Sequence, residues 1–280
     1  TAAELANRQG GINGRPIELS VVDDRSAPDQ SVIGFKSLAG QEVVGVIGSL
    51  FSNSAVATFP LAEAAKVPYV GAAVADEQID PVKEYVFISS VPMGPVAEAI
   101  LGYLMTEKRQ KLAVVYDSKN AFSLSGWKHM KALASTYGVE LVLEEPIASS
   151  ASDFSSVFVR MRSRPCDAVM FWGIGSGAIA FTKQYRAAGL QSMLVMSTAQ
   201  ASVNRYVDPC GTAAEGVVIA SLLADIGRKL PPSPVKAAFD RLADPYKART
   251  GAEFSGFAAN GAAALMLIAE AVRQGGTDRR

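Results

Sequence analysis

The feature that most constrains this chain is an alternation: short, β-rich apolar runs are followed by longer stretches of helical pattern, with Gly, Pro or Asp at the joints. The expected strands are Ile17–Val22, Val43–Ile47, Tyr69–Val70, Leu112–Tyr116, Val139–Leu143, Ala168–Trp172, Leu194–Met196 and Val217–Ala220. Several are unbroken apolar runs, the pattern of a parallel strand covered by helices on both faces. The expected helices are Asp29–Ala39, Ser54–Ala65, Pro95–Glu107, Gly126–Tyr137, Phe154–Arg162, Gly177–Ala188, Pro234–Arg249 and Phe257–Val272. Asp153 is placed to cap the helix that starts at Phe154. Gly138 and Gly189 each follow a helical run, where a left-handed residue closes the last turn. Strand–helix–strand repetition points to an α/β fold with right-handed crossovers.

Two features divide the chain into two lobes rather than one long sheet. The stretch from Ser89 to Pro95 carries two prolines and a glycine between an apolar run and a new helix, as a crossover would. After Ala220 the strand–helix rhythm stops, a proline-rich connection runs from Arg228 to Pro234, and only helices follow. Residues 1–89 with 223–280 are therefore expected to form lobe one, and 90–222 lobe two. The expected architecture is two doubly wound, three-layer αβα lobes joined by a hinge.

Composition excludes several classes of function. The 27 basic and 27 acidic residues cancel, which favours neither nucleic acid nor an anionic membrane as the main partner. No run approaches the roughly 18 apolar residues of a membrane span. Thr1 to Gly10 is polar, without the basic-then-apolar pattern of a signal segment, so an exported protein would already have lost its signal. One histidine, His129, sits in a basic helical stretch and reads as a surface residue. Two cysteines, Cys166 and Cys210, are too few for a zinc site. No GxSxG elbow, P-loop, GxGxxG or metal cluster is present, so no enzymatic activity and no cofactor is expected.

Five stretches, in order, resemble the leucine/isoleucine/valine-binding protein family, the type I periplasmic solute-binding components of ABC importers. They are Gly10–Leu19 with Val21–Asp24, Gly45–Ser54, Ala64–Gly71, Gln184–Leu190 and Ala214–Val217. The resemblance implies capture of a small molecule between the lobes, delivery to a membrane permease and an extracytoplasmic location. It also implies a strand ahead of the helix that holds Thr1, interior to lobe one, and a further crossover after the last helix. The sequence leaves open a second role for the same fold, the ligand-sensing domain of a receptor or an amide-type regulator.

The binding residues follow from the turns at the strand ends. Ser52, Asn53 and Ser54 stand between a strand end and a helix start, where hydroxyls and free backbone N–H groups meet the positive end of the helix dipole. That suits a ligand carboxylate, and the resemblance implies the same role, with Ser52 the best match. Plain N-capping is the alternative. In the loop through Ala73, Val74 and Ala75 the family commonly has a hydroxyl that this chain lacks, leaving backbone contacts or a simple joint. Phe122 matches an aromatic that covers the ligand, or packs in the lobe core. Ile174 stands where amino-acid receptors often have tyrosine, and Trp172 offers a large apolar wall or belongs to the core. Thr198 stands where receptors of α-amino acids commonly place the acid that pairs with the ligand ammonium. A buried ammonium without that partner costs several kcal/mol. Either Asp117 or Asp76 substitutes, or the ligand is an aromatic or aliphatic carboxylate, or an amide, without an ammonium. Cys166 and Cys210 are open to two readings, a disulfide or two separate buried thiols.

Overall fold

The computed structural model describes residues 1–278. Arg279 and Arg280, the end of the expected lobe-one range, lie outside the described residues. The chain divides into two compact units: Thr1–Val91 together with the segment from Leu223 onward, and Pro92–Leu222.

Unit one begins with α1 (Ala2–Arg8) and α2 (Pro28–Ala39), followed by β1 (Val46–Ile47), α3 (Ser52–Ala65), β2 (Tyr69–Gly71) and β3 (Val86–Ile88). Its strands form a parallel sheet in the order β1-β2-β3. Phe35 of α2 and Phe59 of α3 close on Tyr69 of β2, with ring centroids 6.4 and 5.6 Å apart. Each such ring removes a large apolar area from water.

Unit two runs α4 (Met93–Thr106), β4 (Lys111–Asp117), α5 (Ala121–Leu133), β5 (Glu140–Ile147), α6 (Ser155–Ser163), β6 (Ala168–Phe171), α7 (Gly175–Ala187), β7 (Met193–Met196), the single turn α8 (Asp208–Cys210) and β8 (Val218–Ile219). The five strands are all parallel, in the order β5-β4-β6-β7-β8. Leu112 to Val115 of β4 and Ala168 to Phe171 of β6 are fully buried, as unbroken apolar runs in a parallel sheet should be. On one face Phe181 of α7 stacks on Phe171 at 4.3 Å and meets Phe154 and Phe158 at 5.1 and 5.3 Å. The chain then returns to unit one through a 3-10 stretch, Leu223–Lys229, and ends in α9 (Pro234–Thr250) and α10 (Gly256–Gly275).

The parallel α/β class is the one expected, and three local expectations need correction. Ile17–Val22 forms no strand among the described residues. The expected strand Val43–Ile47 shortens to Val46–Ile47, and β3 supplies a strand the sequence reading did not single out. Asp153 binds the N–H of Ser155 at 2.9 Å, but Phe154 occupies the N-cap position of α6. Gly138 and Gly189 have φ of +64° and +69°, the left-handed closures expected of them.

Candidate functional site

In a parallel sheet every strand presents its C-terminal end to the same side, and the turns that leave it gather there. In unit one these turns follow Val22, β1, β2 and β3; in unit two they follow β4, β6 and β7. The sequence-selected binding residues lie on these turns or in the first turn of the helix that follows.

The turn after β1 carries the serines. Phe51, not Ser52 or Asn53, is the N-cap of α3, with φ −85° and ψ +121°, and it makes no side-chain cap bond. The capping alternative is therefore not realised, since Ser52 already lies inside the first turn. The positive end of a 14-residue helix lies at this turn. Ser52 is buried, and Ser54 is fully buried with its Oγ unpartnered. A buried hydroxyl without a partner costs on the order of 1–3 kcal/mol, which a bound acceptor or donor would recover. Asn53 is exposed on the same turn.

Val70 of β2 sits in register with Ile47 of β1, so the turns that follow them are neighbours. Ala73 and Ala75 are buried and Val74 is half-buried. The carbonyls of Ala73 and Ala75 accept from the side-chain amide and the backbone N–H of Gln78. Their own N–H groups have no partner among the described residues. Gly71 makes room for the Gln78 amide: a Cβ there would stand 1.9 Å from Oε1. Sequence reasoning missed Gln78, since nothing at its position distinguishes it from a solvated helix residue. Asp76 opens the 3-10 turn that follows and is half-buried.

A second polar set on this side was also missed. The phenol of Tyr69 reaches past Gly48 to accept from the Ser49 N–H at 3.1 Å. Asp24 accepts from Ser31 Oγ at 2.6 Å and from the Ser26 N–H at 2.9 Å. Burial by itself would raise the Asp24 carboxyl, but bonds from Ser31, Ser26 and Ser49 outweigh it and hold the pKa below the ordinary value.

Unit two assembles its candidates around Trp172. This side chain is fully buried and lies on Gly126 of α5, where any Cβ would come within 2.5 Å of the indole. Phe122 meets it edge-on at 5.8 Å. Its Nε1 has no hydrogen-bond partner. Ile174 is the N-cap of α7, and Thr198 opens the short 3-10 turn after β7. Gln200 ties these turns together, accepting from Ser197 Oγ at 2.8 Å and donating to Gly173 O at 3.2 Å. Asp117 is buried at the end of β4, where its carboxylate accepts from the Lys119 N–H at 2.9 Å. Phe122, Trp172, Ile174 and Thr198 thus share one neighbourhood, as Ser52, Ser54, Ala73 and Ala75 do in unit one.

The cysteines resolve to two separate thiols. Cys166, ahead of β6, bonds Ser192, while Cys210 closes α8 beside Tyr206. Burial raises the pKa of both thiols, so neither is primed as a thiolate.

The whole chain, residues 1–280, matches the family model described as periplasmic binding protein. It is 26% identical over 219 residues to Leu/Ile/Val-binding protein homolog 3 of Brucella melitensis, covering 78% of this chain and 59% of that protein. The chain thus spans about three-fifths of the length of this curated relative. Among solved structures it resembles the branched-chain amino acid transporter substrate binding protein of Streptococcus pneumoniae in complex with isoleucine. That match has a TM-score of 0.84 at 22% identity and covers 99% of this chain and 78% of that one. It also resembles an ABC transporter solute binding protein of Rhodopseudomonas palustris in complex with benzoate, with a TM-score of 0.82 at 24% identity over 99% and 76% of the two chains. No described helix is long and apolar enough to cross a membrane.

Proposed function

Because the chain belongs to the periplasmic binding protein family, we propose that it is the extracytoplasmic solute-binding component of an ABC importer and that its ligand is a small carboxylate without an α-ammonium. The observation that carries this reading is the start of α3. A helix N-terminus without a side-chain cap from Phe51, buried Ser52 and the unpartnered Oγ of Ser54 together suit an anion.

The rest of the ligand is matched by apolar surface. Val74 and Ile174, both half-buried, and the edge of Phe122 offer apolar area, with fully buried Trp172 packed behind Phe122. Thr198 supplies a hydroxyl where a receptor for α-amino acids would need a negative charge. Such a lining suits an aromatic or aliphatic acid better than a zwitterion. The benzoate bound by the Rhodopseudomonas palustris protein lends support to this ligand class. The isoleucine bound by the Streptococcus pneumoniae protein is the competing one. In this reading the ligand first meets the α3 turn, and the two lobes close over it about their hinge before it passes to a membrane permease. No bond of the ligand is made or broken.

The test is a thermal-shift and calorimetric panel of benzoate-type acids, short-chain carboxylates, branched-chain amino acids and amides. A ligand at a hundred times its Kd adds about 2.7 kcal/mol to stability by mass action, so a true ligand raises Tm visibly. Carboxylates without an ammonium should do so. Stabilisation by amino acids alone would refute the ligand class. Ser52→Ala should weaken the best ligand by about tenfold or more, the worth of one hydrogen bond to a charged group, with Tm of the free protein little changed. Unchanged affinity would remove Ser52 from the site.

A further inference from the structure

The loop that leaves β2 runs Ala72-Ala73-Val74-Ala75, and none of its side chains can form a hydrogen bond. Any polar recognition by this loop therefore falls to its main chain, and one residue sets the direction of that main chain. The Gln78 side-chain amide donates through Nε2 to Ala73 O, and the Gln78 N–H donates to Ala75 O at 3.2 Å. Gln78 is only 1% exposed and closes the 3-10 turn Asp76–Gln78, against which α3 packs.

A trans peptide is planar, with its C=O and N–H pointing in opposite directions. The Ala73–Val74 peptide is trans. With Ala73 O turned towards Gln78, the Val74 N–H is turned away from it, and it donates to no group among the described residues. Burial follows the same alternation: Ala73 and Ala75 are buried, and Val74 between them is half-buried. The Val74 N–H thus stands on the open side of the loop. Its neighbour there is the turn that bears Ser52 and Ser54, because Val70 pairs with Ile47.

The Gln78 amide has one usable orientation. Turned over, it would set Oε1 against the oxygen of Ala73. As it stands, Oε1 is buried without a hydrogen-bond partner. What the amide gains over an apolar side chain of similar volume is its hold on Ala73 O. Gly71 makes that hold possible, since a Cβ there would stand 1.9 Å from Oε1.

We propose that Gln78 is a positioning residue: by holding Ala73 O and Ala75 O it aims the Val74 N–H at a ligand carboxylate, and so selects an acid over the carboxamide of the same shape. Gln78 itself touches no ligand. The carboxylate rests on the ligand reading above, whereas the hold on the loop does not. The discrimination follows from counting acceptors. A carboxylate has two oxygens, one for the Val74 N–H and one for the α3 turn. A carboxamide has one, so whichever of the two it serves, its NH2 group meets a donor or the positive end of α3.

Three variants test this. Gln78→Met keeps the volume and removes the donor. Gly71→Ala displaces the amide from the other side and leaves Gln78 in place. Val67→Ala thins the core of unit one at the opposite end of β2 and serves as the stability control. In the free protein, the Gln78 amide should exchange at least about tenfold faster in the first two variants, and not in the third. Binding is measured by calorimetry with benzoate against benzamide and with 3-methylbutanoate against its amide. In the wild type the better acid should bind at least about tenfold more tightly than its amide, and Gln78→Met and Gly71→Ala should shrink that ratio to about threefold or less. Val67→Ala should leave the ratio unchanged. The Val74 amide proton should move downfield on saturation of the wild type with the acid, and not with the amide. A ratio that survives in both loop variants, or Gln78 exchange no faster than in the control, overturns the role of Gln78 and leaves the carboxylate reading standing. Failure of both acids to bind the wild type overturns the discrimination together with the ligand reading, and the exchange measurement tells the two failures apart.

Discussion

Tyr69 holds the strand-end side of unit one together: its ring lies between Phe35 and Phe59, and its oxygen fixes the N–H of Ser49. Burial, more than any neighbouring charge, pushes its pKa up to about 12, and the Tyr185 phenol in unit two is raised to about 12 for the same reason. An acid whose pKa is raised by folding resists ionisation only in the native state. Both residues are therefore neutral in both states below about pH 10, and stability is lost as the pH rises from there towards 12. Denaturant midpoints should be flat with respect to these groups near neutrality and fall above about pH 10. Tyr69→Phe should reduce that alkaline loss by on the order of 2–3 kcal/mol while lowering stability at pH 7 by about 1 kcal/mol through the lost hydrogen bonds. At Gly126 the chemistry is steric. Alanine suits a helix better, but its methyl would collide with the Trp172 indole. Gly126→Ala should destabilise unit two by about 1–3 kcal/mol and shift the tryptophan fluorescence, whereas a gain in stability would mean that Trp172 has room to move. The place of Ser52 at a strand-to-helix joint was legible in the sequence because serines at such a joint are a local signal. Gln78 and Gln200 were not, because each acts on a loop whose approach is fixed only by the fold.

At the scale of elements, the strands of unit two were the most legible because their apolar runs are unbroken and buried on both faces. The segment 17–22 shows the opposite case. Its β-branched residues specify extension, but a strand is a pairing, and pairing needs a neighbour that local sequence does not encode. What holds this segment is the Asn7 clamp, two bonds from one side chain to one residue. Asn7→Ala should cost about 1–3 kcal/mol and abolish exchange protection at the Ile17 amide. If that amide stays protected, the segment is positioned by something other than the clamp. The start of α3 was placed two residues late for a related reason. Ser52 looks like a cap, and only the backbone dihedrals put Phe51 there instead.

Over the whole molecule, the two units carry separate apolar cores, one around Tyr69 and one around Phe181. Phe181 touches Phe154, Phe158, Phe171 and Tyr185, so Phe181→Ala removes the hub of the second core and should cost about 3–5 kcal/mol. The loss should register as faster amide exchange in Pro92–Leu222, with the α2–α3 core unchanged. Uniform loss across the chain would show that the two cores unfold as one cooperative unit.

The sequence by itself determined the α/β class, the parallel sheets and the strand-end turns that bear the candidate residues, because apolar periodicity and turn chemistry act over a few residues. Tertiary structure decided which strands pair, which hydroxyls stay unpartnered, that Trp172 lies against Gly126, and that the two thiols remain apart. Each of these depends on surfaces brought together from distant parts of the chain, and no local pattern records such a meeting.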